Sequence, residues 1–132
     1  GVKDKDEGGA RMLLSGCGSV YKVAESGMTA VSAISGCGPA YMFTALDALA
    51  DAGVAMGLSR KTALGLAAET MRGASLMLER TGKHPMALRD EVTSPGGTTI
   101  AALNALDECG FRNAWIQAVK SAVRRAEEME ER

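Results

Sequence analysis

The stretch PAYMFTALDALADAGVAMG, residues 39–57, decides the fold class. Pro39 suits the first turn of a helix, where an amide would lack an intrahelical acceptor and the ring presets φ. Met42, Phe43, Leu46, Leu49, Ala50 and Val54 then recur at helical spacing until Gly57 stops the run. A second helix follows at once. Ser59 is its expected N-cap, Leu64, Ala67, Ala68, Met71, Ser75 and Leu78 form its stripe, and Gly82 closes it, with Lys83 and His84 beyond. Each runs about five turns.

Downstream, the pattern predicts a short helix over 85–91, then a break, because Pro95 holds Ser94 extended and Gly96 and Gly97 follow. From Thr98, the spacing of Ile100, Leu103 and Leu106 predicts a helix that Gly110 ends, and Phe111 opens a last one through Ile116, Val119, Val123 and Ala126. Upstream the signals are weaker. Met28 to Ile34 fits helix or strand, and Ser35 to Pro39 reads as a backbone break. Ser19 to Ala24 alternates as one short strand would, Ala10 to Leu14 could form a helical turn, and the first nine residues read as poorly ordered. The expected fold is mostly α.

At 132 residues the chain can bury a core without covalent staples, and its apolar content is carried by Ala, Leu, Met and Gly, with only five aromatic residues, which favours packed helices. A net charge of -1, with no basic stripe, gives nucleic-acid binding no support. The acidic end, Glu127 to Glu131, reads as a solvated helix terminus. Cys17, Cys37 and Cys109 form no C-x-x-C pair and His84 is the single histidine, so neither a disulfide framework nor a metal site is expected and a reducing compartment fits. Asp47 and Asp51 interrupt the longest apolar run on one helix face, which argues against a membrane span. The opening residues carry no signal pattern and read as the middle of something longer.

Ala45, Ala48 and Ala52 lie opposite the Leu46 and Leu49 side, and Gly65, Ala67, Gly73 and Ala74 would let another backbone approach. Alanines are also good surface helix formers, so a homodimer face and a solvated face both stand on this pattern.

Chemistry concentrates in Val92-Thr93-Ser94-Pro95-Gly96-Gly97-Thr98-Thr99. A helix start preceded by two glycines leaves amides unpaired with no side chain covering them, which suits a carboxylate or phosphate. The helix dipole adds roughly 0.3 to 1 kcal/mol for such an anion. The alternative is a plain sharp turn with Ser94 or Thr98 as a cap, and spacing does not separate the two. Gly36-x-Gly38 is not a dinucleotide fingerprint: no third glycine stands at 41, Pro39 sits inside, and no acidic residue ends a second strand. His84 reads as a surface or capping residue, Trp115 as a core or interface anchor, and Cys37 as a small buried thiol.

Taken together, Ser35-Gly36-Cys37-Gly38-Pro39-Ala40-Tyr41, then Ala45 through Val54, then His84-Pro85 and Leu88 through Leu103 resemble the C-terminal domain of pyrroline-5-carboxylate reductase. The resemblance implies a helical bundle dimerisation domain with interleaved helices over 28–132, and a remnant of linker and nucleotide-binding domain over 1–27. It implies reduction of 1-pyrroline-5-carboxylate to L-proline, with NADPH or NADH used by the intact enzyme and bound only weakly by this chain alone. Partners so implied are a second copy, and rings of dimers, in the cytoplasm or mitochondrion, with no nucleic acid or membrane.

Carried over by position, the amides of Gly97 and Thr98 would hold the substrate carboxylate and the Thr99 hydroxyl would bond the ring nitrogen as the one catalytic contact. Glu91, Val92, Ser94, Gly96 and Glu25 would line the substrate, and Ser35, Gly36, Cys37 and Gly38 would lie beside the cofactor. Cys37 stands where the family usually has serine and Thr29 where it often has an acidic residue, both on the cofactor side. The competing reading is a non-catalytic oligomerisation module that associates with full-length reductase.

Overall fold

The two long periodic runs fold as helices whose ends obey their punctuation. In the computed structural model, which describes residues 4–130, they are α3, Gly38–Ala55, and α4, Arg60–Thr81. Ser59 caps α4 by accepting the Thr62 amide at 3.1 Å, and Gly82 closes it in the left-handed region at φ 62°. Around them lie α1 (Asp4–Leu14), α2 (Met28–Val31), α5 (Pro85–Glu91), α6 (Thr98–Glu108) and α7 (Phe111–Glu130).

α3 and α4 make the most extensive pairing in the chain, and they touch through small residues. Ala50, Ala63 and Ala67 are buried at that contact. A Cβ on Gly53 would sit 2.9 Å from Ala63 Cβ, so glycine is what lets the backbones come this near. Arg60 pairs with both Asp47, at 3.7 Å, and Asp51, tying the two aspartates that interrupt the apolar run to the start of the next helix. The second cluster joins α2, α6 and α7, with Ala33 buried in it. There Trp115 meets Tyr41 and Phe111 edge to face, at centroid distances of 6.2 and 5.9 Å.

The large apolar side chains of the long helices point away from these contacts. Phe43 is 69% exposed, Leu66 56% and Leu49 52%. The predicted α4 stripe is therefore only partly used within the chain: Ala67 is buried, whereas Leu64 and Leu78 stay open. A compact monomer of 13.7 kDa would expose about 6,600 Å². This chain exposes 10,542 Å², and its buried apolar residues, among those described, are four alanines.

Upstream of α3 the structure corrects three expectations. Ser19–Ala24 is not a strand, and no strand occurs among the described residues: an alternating segment needs a neighbour to pair its backbone, and Tyr21 stands 82% exposed. Helix α1 begins at Asp4 and runs through Gly8 and Gly9, although each glycine costs helix stability. Lys22 Nζ lies 2.5 Å from Glu7 and anchors it to the following segment; of the nine residues expected to be poorly ordered, 1–3 lie outside the described residues. The ambiguous run from Met28 is helical and widens into a π-turn at Ser32–Gly36. The expected break is thus only a bend at Cys37, with φ still right-handed at -81°. The Cys37 amide reaches back to the Ser32 carbonyl at 3.0 Å, and Pro39, which has no amide to give, sits in the first turn of the helix that follows.

Candidate functional site

The Ser94–Gly97 turn is built by two residues with opposite needs. Pro95 fixes its own φ, and Gly96 takes φ +67°, which suits glycine alone. The Gly97 amide donates to the Ser94 carbonyl at 3.1 Å, which closes the signature of a type II β-turn. Gly97 then serves as N-cap of α6 without any side-chain cap, and the first helical bond runs from Ala101 to Gly97. Among the described residues, the amides of Thr98, Thr99 and Ile100 therefore have no partner. A Cβ on Gly97 would lie 2.3 Å from Ser94 Oγ and 3.2 Å from its carbonyl. Glycine here is what the Ser94 side chain and carbonyl leave room for.

Of the two amides expected to hold a carboxylate, that of Thr98 is open, with those of Thr99 and Ile100 beside it, whereas Gly97 spends its own inside the turn. Ser94 and Thr98 do not cap α6, which removes the plain-cap alternative but leaves the sharp turn intact. Thr99 is half-buried at the first helical turn, while Thr98 and Gly96 are exposed.

Other predicted residues distribute along the same path. Val92 is exposed and forms one end of a groove of about 420 Å³ between α4 and α5, whose walls include Leu78, Leu88 and Arg89. Ser94 to Thr99 do not line that groove. Glu91 ends α5 with its carboxylate 2.5 Å from Lys83 Nζ. His84 caps α5, its Nδ1 accepting the Met86 amide at 3.3 Å, as a capping histidine would.

Glu25 and Ser35 to Gly38 lie upstream, around the π-turn. Glu25 is exposed at the start of a single 3-10 turn. Ser35 Oγ donates to the Val31 carbonyl at 2.9 Å, the Cys37 amide to the Ser32 carbonyl at 3.0 Å, and Gly38 is buried. The Ser35 hydroxyl and the Cys37 amide are thus occupied within the helix, while Cys37 itself is exposed and not the small buried thiol expected, because the bend at 37 carries its side chain out of the helix contact. Partial burial, with Cys37 alongside, pushes the Tyr41 phenol above its ordinary range. Among the described residues no group of His, Cys, Asp and Glu could hold a metal, and no helix is long and apolar enough to cross a membrane.

Two features escaped the sequence. Ile100 contributes an open amide, which counting back from the first paired helical residue would have found. In the sequence Lys83 merely follows the end of α4, yet opposite charges on either side of a seven-residue helix are a recognisable clip.

A family model described as pyrroline-5-carboxylate reductase dimerisation matches residues 25–129. The chain belongs to this family. The pyrroline-5-carboxylate reductase of Arabidopsis thaliana is 46% identical over 129 residues, 98% of this chain and 47% of that protein. Pyrroline-5-carboxylate reductase 2 of Pongo abelii is 48% identical over 89% of the chain and 37% of its own length. The fold agrees. A pyrroline-5-carboxylate reductase structure from Coxiella burnetii superposes with a TM-score of 0.92 at 35% identity, covering 96% of this chain and 47% of that one. The Plasmodium falciparum enzyme, solved with NADP bound, gives 0.87 at 33% identity, covering 97% and 52%. The chain thus spans about half or less of the reductases it matches.

Proposed function

We propose that this chain is the dimer-forming, carboxylate-holding part of a pyrroline-5-carboxylate reductase, acting in the reduction of the cyclic imine to L-proline. The observation that carries this reading is the open trio of amides at Thr98, Thr99 and Ile100, which follow directly on a turn ending in two glycines, in a chain of this family. Amides aimed at one point, with the helix dipole behind them, hold a carboxylate and leave the ring free to be oriented. The Thr99 hydroxyl then bonds the ring nitrogen and fixes which face of the C=N bond is presented. Reduction adds a hydride at carbon and a proton at nitrogen, so orientation and charge complementarity matter more than a nucleophile.

NADPH or NADH is the reductant of the intact enzyme in this reading, in keeping with the NADP-bound Plasmodium falciparum relative. Ser35 to Gly38 lie beside the cofactor in this reading, with the Ser35 hydroxyl and the Cys37 amide already bonded within the helix. A second copy completes the site. The surplus of about 3,900 Å² over a compact monomer is what an interleaved dimer would cover.

The test is a titration of the ¹⁵N-labelled chain with L-proline. Shifts concentrated at the amides of Thr98, Thr99 and Ile100 are expected. Binding with those amides unmoved, or no binding, contradicts the reading. In the intact enzyme, Thr99→Ala should lower turnover up to about tenfold, the worth of one hydrogen bond, with assembly unchanged. Equal turnover would remove Thr99 from the chemistry.

A further inference from the structure

Helix α5 has a mechanical difficulty. It is seven residues long, too short to persist by itself, and makes no extensive contact with another helix. Yet it is the only covalent path from the long α4 to the Ser94–Gly97 turn. Three polar devices hold it. His84 caps its start, the Thr93 hydroxyl donates to the Arg89 carbonyl at 2.7 Å beyond its end, and the Lys83–Glu91 pair spans it from one end to the other at 2.5 Å. Only the last joins the exit of α4 to the entry of the turn. Lys83 follows the left-handed Gly82, and Glu91 stands three residues before Ser94.

We infer that Lys83 is a positioning residue: its bridge to Glu91 sets α5, and through α5 the direction in which the open amides of residues 98 to 100 face. Glu91 then acts as the other half of the clip and not as a contact to substrate. This inference rests on the carboxylate-binding reading above and assigns a role within it. Both side chains are about half exposed, so the bridge is modest in strength and sensitive to salt. A modest bridge suffices, because the task is to aim a turn and not to hold a core.

The experiment uses the full reductase chain, with L-proline affinity measured by calorimetry and exchange of the Gly97 amide measured by NMR without ligand. Lys83→Met should weaken proline binding about twofold to fivefold and speed Gly97 exchange by a similar factor, while the thermal midpoint stays within about 2 °C. Lys83→Arg should retain affinity. The decisive variant is the exchange of charges, Lys83→Glu with Glu91→Lys, which should recover most of the affinity lost in Lys83→Met. A swapped protein that binds as poorly as Glu91→Gln, with Gly97 exchange restored, would show that the Glu91 carboxylate itself touches ligand and overturn the inference. Unchanged binding and exchange in Lys83→Met would overturn it too. Absence of proline binding by the unsubstituted chain would instead bring down the underlying reading.

Discussion

The α3–α4 hairpin and the α5–turn–α6 segment solve the same problem, fixing one element against the next, by opposite means. The hairpin uses contact so close that only alanine and glycine fit, at Ala50, Gly53, Ala63 and Ala67. The segment uses caps and clips, at His84, Thr93, Lys83 and Glu91, over a helix with little packing. Close packing yields stiffness that salt and pH barely alter. Polar clips leave backbone donors free near the surface, where a small anion can reach them. The chain keeps its rigidity where it needs a scaffold and its open amides where it needs a ligand.

Overpacking the hairpin should cost the most. Gly53→Val places branched carbons against Ala63 Cβ, which is itself 2.9 Å from an ideal Cβ at 53, and should destabilise the fold by about 2 to 3 kcal/mol in chemical denaturation. A loss below about 0.5 kcal/mol would mean that the helices separate easily and the contrast is overdrawn. On the other side, Gly97→Val drives carbons into Ser94 and should abolish measurable proline binding while costing less stability than Gly53→Val. Unchanged proline affinity would count against the anion site. Gly96→Ala should cost about 1 to 2 kcal/mol from the left-handed φ alone, and Ser59→Ala about 1 kcal/mol from the lost cap.

The smallest effect concerns α1. Hydrogen bonding and charge from Lys22 hold the Glu7 carboxyl below its ordinary 4.5. A lowered folded value means that the contribution is complete above about pH 4.5 and fades as pH falls through the lowered value. Carboxyl NMR titration should find the Glu7 midpoint moving up towards 4.5 in Lys22→Met. A midpoint that does not move would dissolve the pair.

Much of this contrast was legible in the residues, and the exceptions have physical causes. The long helices could be read because their caps and periodicity are local, and Ser59, Gly82 and Gly110 act where their chemistry says. Which face of α4 is covered inside the chain was not legible, since a Leu64–Leu78 stripe looks the same whether its cover is the same chain or another. The Ser19–Ala24 alternation misled for a related reason: it reports a preference for a sheet, and no strand lies beside it among the described residues. At the site, Pro-Gly-Gly announced a turn and a helix start, but only the hydrogen bond from Gly97 to Ser94 decides which amides stay open. Lys83 and Glu91 were separately visible, whereas their reach across α5 required coordinates.

A helical chain whose buried apolar residues, among those described, are four alanines leaves large apolar faces that must be covered. Light scattering coupled to size exclusion, at micromolar concentration, measures that directly. A mass twice 13.7 kDa, with no folded species at 13.7 kDa on dilution until the helical signal itself is lost, is the predicted result. A stable, fully helical monomer at that concentration would contradict it.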